Sequence, residues 1–420
     1  MQLDDIDLLD LDRFVNGAHH EMFRVLRAED PVHWTEEPDG PGFWSITKLR
    51  DLQTVNRDVE LFSSETGGTQ RLEIADLDPD FDTRGIMLVD TDPPKHTRYR
   101  RIVNKGFTPR MIGLLESYLQ HLAERIVDEV IEKGECDFVN DLAAELPLQA
   151  IAELMGVPQD DRRLMFDWSN TMIGINDPDF VHPDGAAVAG RNAAMEVYMY
   201  SNNLAAQRRE DPRDDLVTKL INADVDGEHL SELEFDMFML LLTVAGNETT
   251  RTATAIGMDA LLDNPEQLAK VIEHLDDDAY LMTAMDEVLR WSTPVLHFRR
   301  TATADTEIGG KQIKAGDKLL MWHISANRDE DVFDDPFTFD VERFPNEHVA
   351  FGGGGAHYCL GANLARVELR IIFREILSRL GELQKTAEPR VLRGNFVTGL
   401  KQMPVTFTPG ERKHPAVATA

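Results

Sequence analysis

The sequence predicts a mainly helical α+β fold, with small β-sheets near the N- and C-terminal parts of the chain. Apolar residues recur at helical spacing over most of residues 111–380, whereas strand-like alternation is confined to shorter stretches. Because strands lie towards both ends with helices between them, we expect residues 1–420 to form a single domain. The helix predicted at 111–133 is the clearest, and its apolar face carries Leu115, Leu119, Leu122, Ile126 and Val130.

The predicted elements begin with a strand, a turn and a helix in residues 42–62, followed by a loop rich in Gly, Asp and Thr over 64–92. Strands are expected again late in the chain, and the tail 411–420 is expected to be disordered. Further helices are predicted around 142–155, 159–175, 186–208, 214–222, 231–262, 264–275, 279–291 and 362–380. The later strands are predicted at 299–308, 317–323 and 397–407.

Composition and charge exclude several classes of protein. The 42% hydrophobic and 28% charged residues are typical of a globular chain, and the net charge of −32 argues against nucleic acid as a partner. Two cysteines, Cys136 and Cys359, are too few for a disulfide framework or a four-thiolate metal site. The N-terminus does not read as a signal peptide, and no apolar run reaches the ~20 residues that cross a bilayer. We therefore expect a cytoplasmic protein without a transmembrane anchor.

A glycine-rich segment around Cys359 is the first candidate for chemistry. Residues 351–361 read FGGGGAHYCLG and are followed by a helix-forming run. Glycine lets a backbone approach a flat ligand closely. A cysteine just before a helix N-terminus also meets a dipole and unpaired N–H groups that favour its thiolate. The alternative is a structural cysteine beside a flexible loop.

This segment resembles the haem-ligand loop of the cytochromes P450. Gly355, His357, Cys359 and Gly361 match that pattern, but Gly352 stands where the family has Phe, and Phe351 lies one residue earlier. The resemblance implies a cytochrome P450-type fold and haem b, iron protoporphyrin IX, held by the Cys359 thiolate. Whether Phe351 takes the usual Phe position is left open. The resemblance also assigns three residues of the segment to cofactor binding, namely Gly353, His357 and Gly361.

The run Ala245-Gly246-Asn247-Glu248-Thr249 interrupts a predicted apolar helix. Glycine inside a helix costs ~1 kcal/mol relative to alanine, and a buried acid and hydroxyl need partners. The run resembles the oxygen-activation motif of the same family. This implies that Ala245 and Gly246 border the haem and that Glu248 and Thr249 are catalytic residues that deliver protons. The alternative is a helix end with an exposed face rich in threonine.

Two charged motifs resemble structural and cofactor-binding elements of the family. Glu287 and Arg290 share a helix face, a pairing that is usually a surface feature. The resemblance makes them the structural Glu-x-x-Arg pair, with Arg343 as the third member.

His96 and Arg100, spaced i,i+4, resemble the residues that hold the haem propionates. Arg300 resembles the strand arginine with the same role, although Arg299 leaves the register open by one residue. A solvated basic helix is the alternative for His96 and Arg100.

The resemblance as a whole implies a haem-thiolate monooxygenase that inserts one atom of O2 into a hydrophobic substrate. Electrons are expected from NAD(P)H through a ferredoxin reductase and a ferredoxin. The six Lys and Arg residues of 93–110, together with Arg366 and Arg370, are expected to form the docking face for the ferredoxin.

The substrate expectation is a sterol side chain, or a methyl-branched lipid or terpenoid, that becomes hydroxylated. The glycine-rich loop, AGNETTR (245–251) and SANRD (325–329) look most like bacterial members that act on such molecules. A fatty acid or a macrolide-like product, a haem-based gas sensor or carrier, and a cofactor-free binding protein are the alternatives. The substrate pocket is expected to include Val244, Ala245, Val295, Phe298 and Val397.

Overall fold

The computed structural model describes residues 1–38, 40–72, 84–104, 107–180, 185–224, 227 and 229–415. The mainly helical character predicted from the sequence is confirmed. The helices of the first half are α1 (Asp12–Val15), α2 (His19–Glu29), α3 (Leu49–Arg57), α4 (Lys95–Val103), α5 (Pro109–Ile131), α6 (Glu145–Met155), α7 (Arg162–Ile173) and α8 (Ala186–Glu210). Those of the second half are α9 (Leu216–Ile221), α10 (Glu232–Ala245), α11 (Glu248–Asp263), α12 (Pro265–Glu273), α13 (Asp278–Ser292), α14 (His323–Ala326) and α15 (Ala362–Arg379).

The strands are short and fall into small sheets. The larger set is β1 (Val32–Thr35), β2 (Phe43–Ile46), β3 (Phe62–Ser63), β5 (His297–Ala302) and β8 (Lys318–Trp322), which form one sheet in the order β1-β2-β8-β5-β3. The others are β4 (Glu135–Asp137), β6 (Thr306–Ile308), β7 (Lys311–Ile313), β9 (Gln384–Lys385), β10 (Arg390–Val391), β11 (Leu400–Gln402) and β12 (Pro404–Thr406).

The five-stranded sheet joins the two ends of the sequence. Strand β2 pairs in parallel with β8, which places Trp44 opposite Leu319, and β3 pairs antiparallel with β5, which places Phe62 opposite Ala302. The strand predicted within 42–62 therefore shares a sheet with those predicted at 299–308 and 317–323. The strand predicted at 397–407 forms β11 and β12, which belong to two other sheets. Of the loop predicted at 64–92, residues 73–83 lie outside the described residues.

The helix predicted over 231–262 is two helices, so this expectation was wrong in detail. Helix α10 ends at Ala245 and α11 begins at Glu248. At the break, the Thr249 hydroxyl donates to the Ala245 carbonyl over 2.8 Å. A Cβ on Gly246 would stand 2.8 Å from the Ile151 side chain on α6, so glycine here permits close helix packing.

Buried charges fix the end of α13 to the loop that follows α14. Both guanidinium donors of Arg290 on one edge bind the two Glu287 oxygens at 2.7 Å, and its Nη1 donates to the carbonyls of Asn327 and Pro336 at 2.8 Å. Arg343 approaches the same carboxylate to 3.3 Å. Glu287 and Arg290 are fully buried, so the three residues grouped by the sequence meet inside the protein rather than on its surface.

The tail does not follow the prediction throughout. Residues 411–415, expected to be disordered with the rest of 411–420, are held against α5 by hydrogen bonds from the Lys413 and His414 amides to Asp128, each 2.8 Å long. Residues 416–420 lie outside the described residues. Within the described part of the chain, no helix is both long and apolar enough to span a membrane.

Removing the Glu287 carboxylate should destabilise the fold strongly, because Arg290 would remain buried with an uncompensated charge. We expect Glu287→Ala to lower the free energy of unfolding by about 3–5 kcal/mol, measured by urea unfolding followed by circular dichroism. The matched control is Glu342→Ala, which removes an exposed carboxylate that pairs with Lys270 and should change stability far less. Equal effects of the two substitutions would contradict the importance of the buried group.

Candidate active site

Cys359 lies two residues before the helical cap that starts α15. Its amide donates to the Phe351 carbonyl over 2.9 Å, and its sulfur accepts hydrogen bonds from the amides of Gly361 and Ala362. Solvent can reach the side chain, although protein surrounds the sulfur on nearly every side. The thiol therefore lies at the inner end of an opening to solvent, which we call the Cys359 recess.

Burial and the helix terminus act in opposite directions on the pKa of the Cys359 thiol. Burial raises the pKa of Cys359, and this effect outweighs the opposing effects of the Gly361 and Ala362 amides and of Arg100 and Arg366. The predicted helix terminus is present, but burial destabilises the thiolate more than the terminus stabilises it. A stable thiolate at this position therefore needs a further positive partner.

The glycine-rich loop lies directly on α3. The Asn56 amide donates to the Gly354 carbonyl over 2.6 Å, and the Arg57 guanidinium donates to the Gly353 carbonyl over 3.0 Å. Gly355 has a φ of +80°, and a Cβ there would stand 3.2 Å from the Asn56 carbonyl oxygen. Glycine is required because the loop backbone rests on the backbone of α3.

Four basic side chains gather beside this loop, as the sequence predicts. The rings of His96 and His357 stand 4.2 Å apart. Burial, followed by the positive charges of Arg100 and Arg300, lowers the pKa of His96 to about 4. Burial and the same arginines, with His96, lower the pKa of His357 to about 2. The two imidazoles are therefore neutral, and the site holds two guanidinium charges.

The sequence did not decide between Arg299 and Arg300, and the structure places Arg300 near His96 and His357. Its Nη2 donates to Asn56 Oδ1 over 3.2 Å, which ties it to α3. Side chains alternate along β5, so Arg300 shares a face with Phe298. Arg299 lies on the other face, and its Nη2 lies 3.4 Å from the Thr301 hydroxyl.

These cations are suited to an anionic group that the protein does not itself supply. Burial lowers the pKa of Arg100, and it lowers that of Arg300 to about 10. Among the described residues, no carboxylate forms an ion pair with either arginine, and Arg300 Nε has no hydrogen-bond partner. A cofactor with carboxylate arms beside the Cys359 sulfur fits this donor set.

Glu248 is engaged by neighbours that the sequence did not reveal. It is buried, and its Oε1 accepts from the Ser169 hydroxyl of α7 over 2.9 Å and from the Asn247 amide over 3.2 Å, while Oε2 pairs with Arg251. Burial raises the pKa of Glu248 despite Arg251 and Ser169. Thr249 instead binds the Ala245 carbonyl, so the predicted acid and hydroxyl are adjacent in sequence but are not joined by a hydrogen bond.

The predicted pocket residues are brought together only in part. Val295 and Val397 form an isolated antiparallel bridge, and the ring of Phe298 packs 5.8 Å from that of Phe396. The Thr252 hydroxyl of α11 donates to the Thr398 carbonyl over 3.1 Å, which fixes this turn to the helix after Thr249. Val244 and Ala245 lie on α10, where Ala245 is exposed.

The expected basic docking face is smaller than predicted. Arg370 is buried and pairs with Glu116 and Asp278, and Arg366 pairs with Asp286 over 2.8 Å. The expectation was wrong for these two residues because acids from α5 and α13 neutralise them. Of the helix and its surroundings, Arg101 and Arg110 are exposed, whereas Lys105 lies outside the described residues.

Sequence reasoning missed the residues that support the site from distant parts of the chain. Asn56 and Arg57 hold the glycine loop, the Ser64 hydroxyl lies 3.1 Å from His357 Nε2, and Ser169 and Arg251 hold Glu248. Only Arg251 had a local signal, since its i,i+3 spacing from Glu248 predicts a pair on one helix face.

Comparison with known proteins gives consistent matches. The sequence pattern of the cytochrome P450 family matches residues 62–407. The steroid C26-monooxygenase of Rhodococcus jostii is 43% identical over 410 residues, which cover 96% of this chain and 84% of that protein. The methyl-branched lipid omega-hydroxylase of Mycobacterium tuberculosis is 40% identical over 415 residues, which cover 96% and 95%. A solved Mycobacterium marinum cytochrome P450 in complex with pseudoionone superposes with a TM-score of 0.89 at 37% identity, covering 97% of this chain and 99% of that one.

Proposed function

The chain belongs to the cytochrome P450 family and is a monooxygenase that uses haem iron and O2, and from this premise we propose that it hydroxylates a sterol side chain or a methyl-branched lipid. The observation that carries the substrate class is the similarity, over 96% of the chain, to a steroid C26-monooxygenase and to a methyl-branched lipid omega-hydroxylase. The apolar side chains Val295, Phe298 and Val397, which meet near α11, support a hydrophobic ligand. Another apolar small molecule remains the alternative substrate.

We assign haem b to the recess that Cys359 lines. The Cys359 sulfur would bind the iron, and binding to a cation accounts for a thiolate where burial alone disfavours one. His96, Arg100, Arg300 and His357 would receive the two propionates. A thiolate-ligated haem supplies O–O bond cleavage, because the thiolate pushes electron density onto the iron. Four further residues would lie against the ring, namely Ala245, Gly246, Gly353 and Gly361.

Glu248 and Thr249 are proposed to move protons towards the same recess. Burial raises the pKa of the Glu248 carboxyl, which favours its protonated form, and the Thr249 hydroxyl lies at the helix break beside exposed Ala245. Because Ser169 and Arg251 now hold Glu248, the carboxyl must exchange at least one of these partners before it reaches Thr249.

Electrons are proposed to come from NAD(P)H through a ferredoxin reductase and a ferredoxin. The exposed Arg101 of α4, on the helix that also carries His96 and Arg100, supports an acidic partner at that face. Contacts between α3 and the loop about 300 residues later support treating residues 1–420 as one domain. A cytoplasmic location also remains a prediction.

The carbon monoxide difference spectrum of the reduced protein tests the ligand assignment. We expect a Soret band at the long wavelength typical of thiolate-ligated haem, and we expect Cys359→Ser to abolish it. Cys136→Ser is the matched control, because Cys136 lies on β4 and burial raises its pKa to about 12. Retention of the band in Cys359→Ser, or loss of it in Cys136→Ser, would overturn the assignment.

Spectral titration tests the substrate class. Cholesterol should perturb the haem spectrum at concentrations at least tenfold lower than testosterone, which has a similar ring system without the branched side chain, because each buried CH2 contributes about 0.8 kcal/mol. A methyl-branched fatty acid should likewise bind more tightly than its linear isomer. Hydroxylated product should form only with O2 and an electron supply. Equal binding of the members of both pairs would contradict the proposed class.

Coupling of cofactor oxidation to product tests the proton-delivery role. In Thr249→Ala we expect product per NAD(P)H oxidised to fall by at least about tenfold, because general acid catalysis contributes ~10²–10⁴-fold to a rate. Thr254→Ala is the matched control, because Thr254 also donates to the carbonyl four residues earlier, at 2.9 Å, but is buried within α11. Similar coupling in both variants would remove Thr249 from the proposed role.

A further inference from the structure

The C-terminal segment is fastened to α5 in a defined position. The Asp128 carboxylate accepts from the amides of Lys413 and His414 at 2.8 Å, and the Arg412 guanidinium pairs with Glu129 at 2.6 Å. Asp128 is buried, so these hydrogen bonds form inside the protein and hold the segment in one position. The backbone of His414 is therefore placed by the same helix that it covers.

This position brings two imidazoles and a carboxylate together. His121 and Glu124 are spaced i,i+3 on α5 and share a face. His414 Nε2 lies 2.9 Å from Glu124 Oε2, and the rings of His414 and His121 stand 4.7 Å apart. One ligand-type atom from each of the three side chains lies within 4.8 Å of the others.

We propose that His121, Glu124 and His414 form a binding site for a divalent transition-metal ion of the zinc type, which fastens the C-terminal segment to α5. This site uses none of the residues assigned to haem, and the proposal does not rest on the proposed function. Its role is structural, because the ion would join a helix to a segment about 290 residues later in the chain.

The ligand chemistry selects this class of ion. Two imidazoles suit zinc, copper and nickel, whereas magnesium and calcium prefer sites made of oxygen. The ligands must be deprotonated to bind.

The surrounding residues orient the carboxylate for binding through one oxygen. Glu124 Oε1 contacts Lys413 Nζ at 3.3 Å, and Lys413 is also paired with Glu375 at 2.9 Å, so Oε2 is the oxygen that faces the imidazoles. Such hydrogen bonds to ligating carboxylates are a regular feature of metal sites. Ligand atoms around tetrahedral zinc stand about 3.3 Å apart, and exposed His121 can rotate to close the remaining distance.

Calorimetric titration of the untagged, full-length, haem-loaded protein with Zn²⁺ tests the site. We expect one ion bound per chain, with affinity reduced at least tenfold in His121→Ala and in His414→Ala. His229→Ala is the matched control, because His229 is an exposed histidine beside an acid, Asp224, at 3.9 Å. The control should bind Zn²⁺ as the wild type does.

Trypsin cleavage after Arg412 and Lys413, followed by mass spectrometry, gives a second readout. Zn²⁺ should slow this cleavage at least severalfold in the wild type and in His229→Ala, but not in His121→Ala. Equal Zn²⁺ affinity in all variants would mean adventitious binding to the acidic surface. No binding to the wild type would mean that His414 and Glu124 form a hydrogen-bonded clamp only. Either result overturns the proposal, and neither affects the carbon monoxide spectrum that tests the haem assignment.

Discussion

Two guanidinium groups constrain the rest of the site: that of Arg100, which is half-buried near Cys359, and that of Arg300, which is buried near His357. Taking a charge out of water costs several kcal/mol even after the protein relaxes, and the lowered pKa values of Arg100 and Arg300 show this cost. Asp90 and Asp92 oppose this effect at Arg300, and Cys359 opposes it at Arg100, but within the described residues neither arginine forms an ion pair with a carboxylate. A cofactor with two carboxylates that binds beside these arginines would offset the remaining cost, and its binding would then stabilise the folded protein by mass action. Asn56 shows how closely the parts depend on each other, because its amide group holds Arg300 through the oxygen and the glycine loop through the nitrogen.

The position of that loop follows from a second buried group, the Glu287 carboxylate. It receives Arg290, Arg343, the Asp340 amide at 2.9 Å and the Asn346 side chain at 3.1 Å. These partners span the segment that leads from α14 to the glycine loop, which contains few regular elements of its own. Asn327 then continues the series, because its Oδ1 accepts from the Val349 amide at 2.7 Å, two residues before Phe351. These hydrogen bonds position the segment before Phe351 against α13, and they thereby help to place Cys359.

The sequence predicts those features of the site that depend on residues close together in the chain. It does not predict which residues from distant parts of the chain contact them. The helix start after Cys359, the i,i+3 pair of Glu287 and Arg290, and the two basic residues of α4 each follow from residues close together in the chain. The division of 231–262 into two helices was missed, although the run from Ala245 to Thr249 interrupts the apolar pattern. What the sequence could not show is that Gly246 lies against Ile151 of α6. The same limit explains Arg366 and Arg370, which look like surface cations until α5 and α13 bring acids to them. It also explains residues 411–415, whose composition predicts disorder while the buried Asp128 fixes them.

Glu248 shows a tension between stability and catalysis that only the three-dimensional contacts reveal. A buried acid needs partners, and Ser169 and Arg251 provide them, but the same partners hold the carboxyl away from Thr249. Arg251 is itself bonded at 2.8 Å to Asn170, the neighbour of Ser169 on α7. Both restraints on the acid therefore pass through one turn of α7, a helix that packs against α8 and α10. Any displacement of that turn weakens both restraints together, whereas a change confined to α11 leaves Ser169 and Asn170 in place. The position of the Glu248 carboxyl therefore depends on α7 as well as on α11, the helix that carries it.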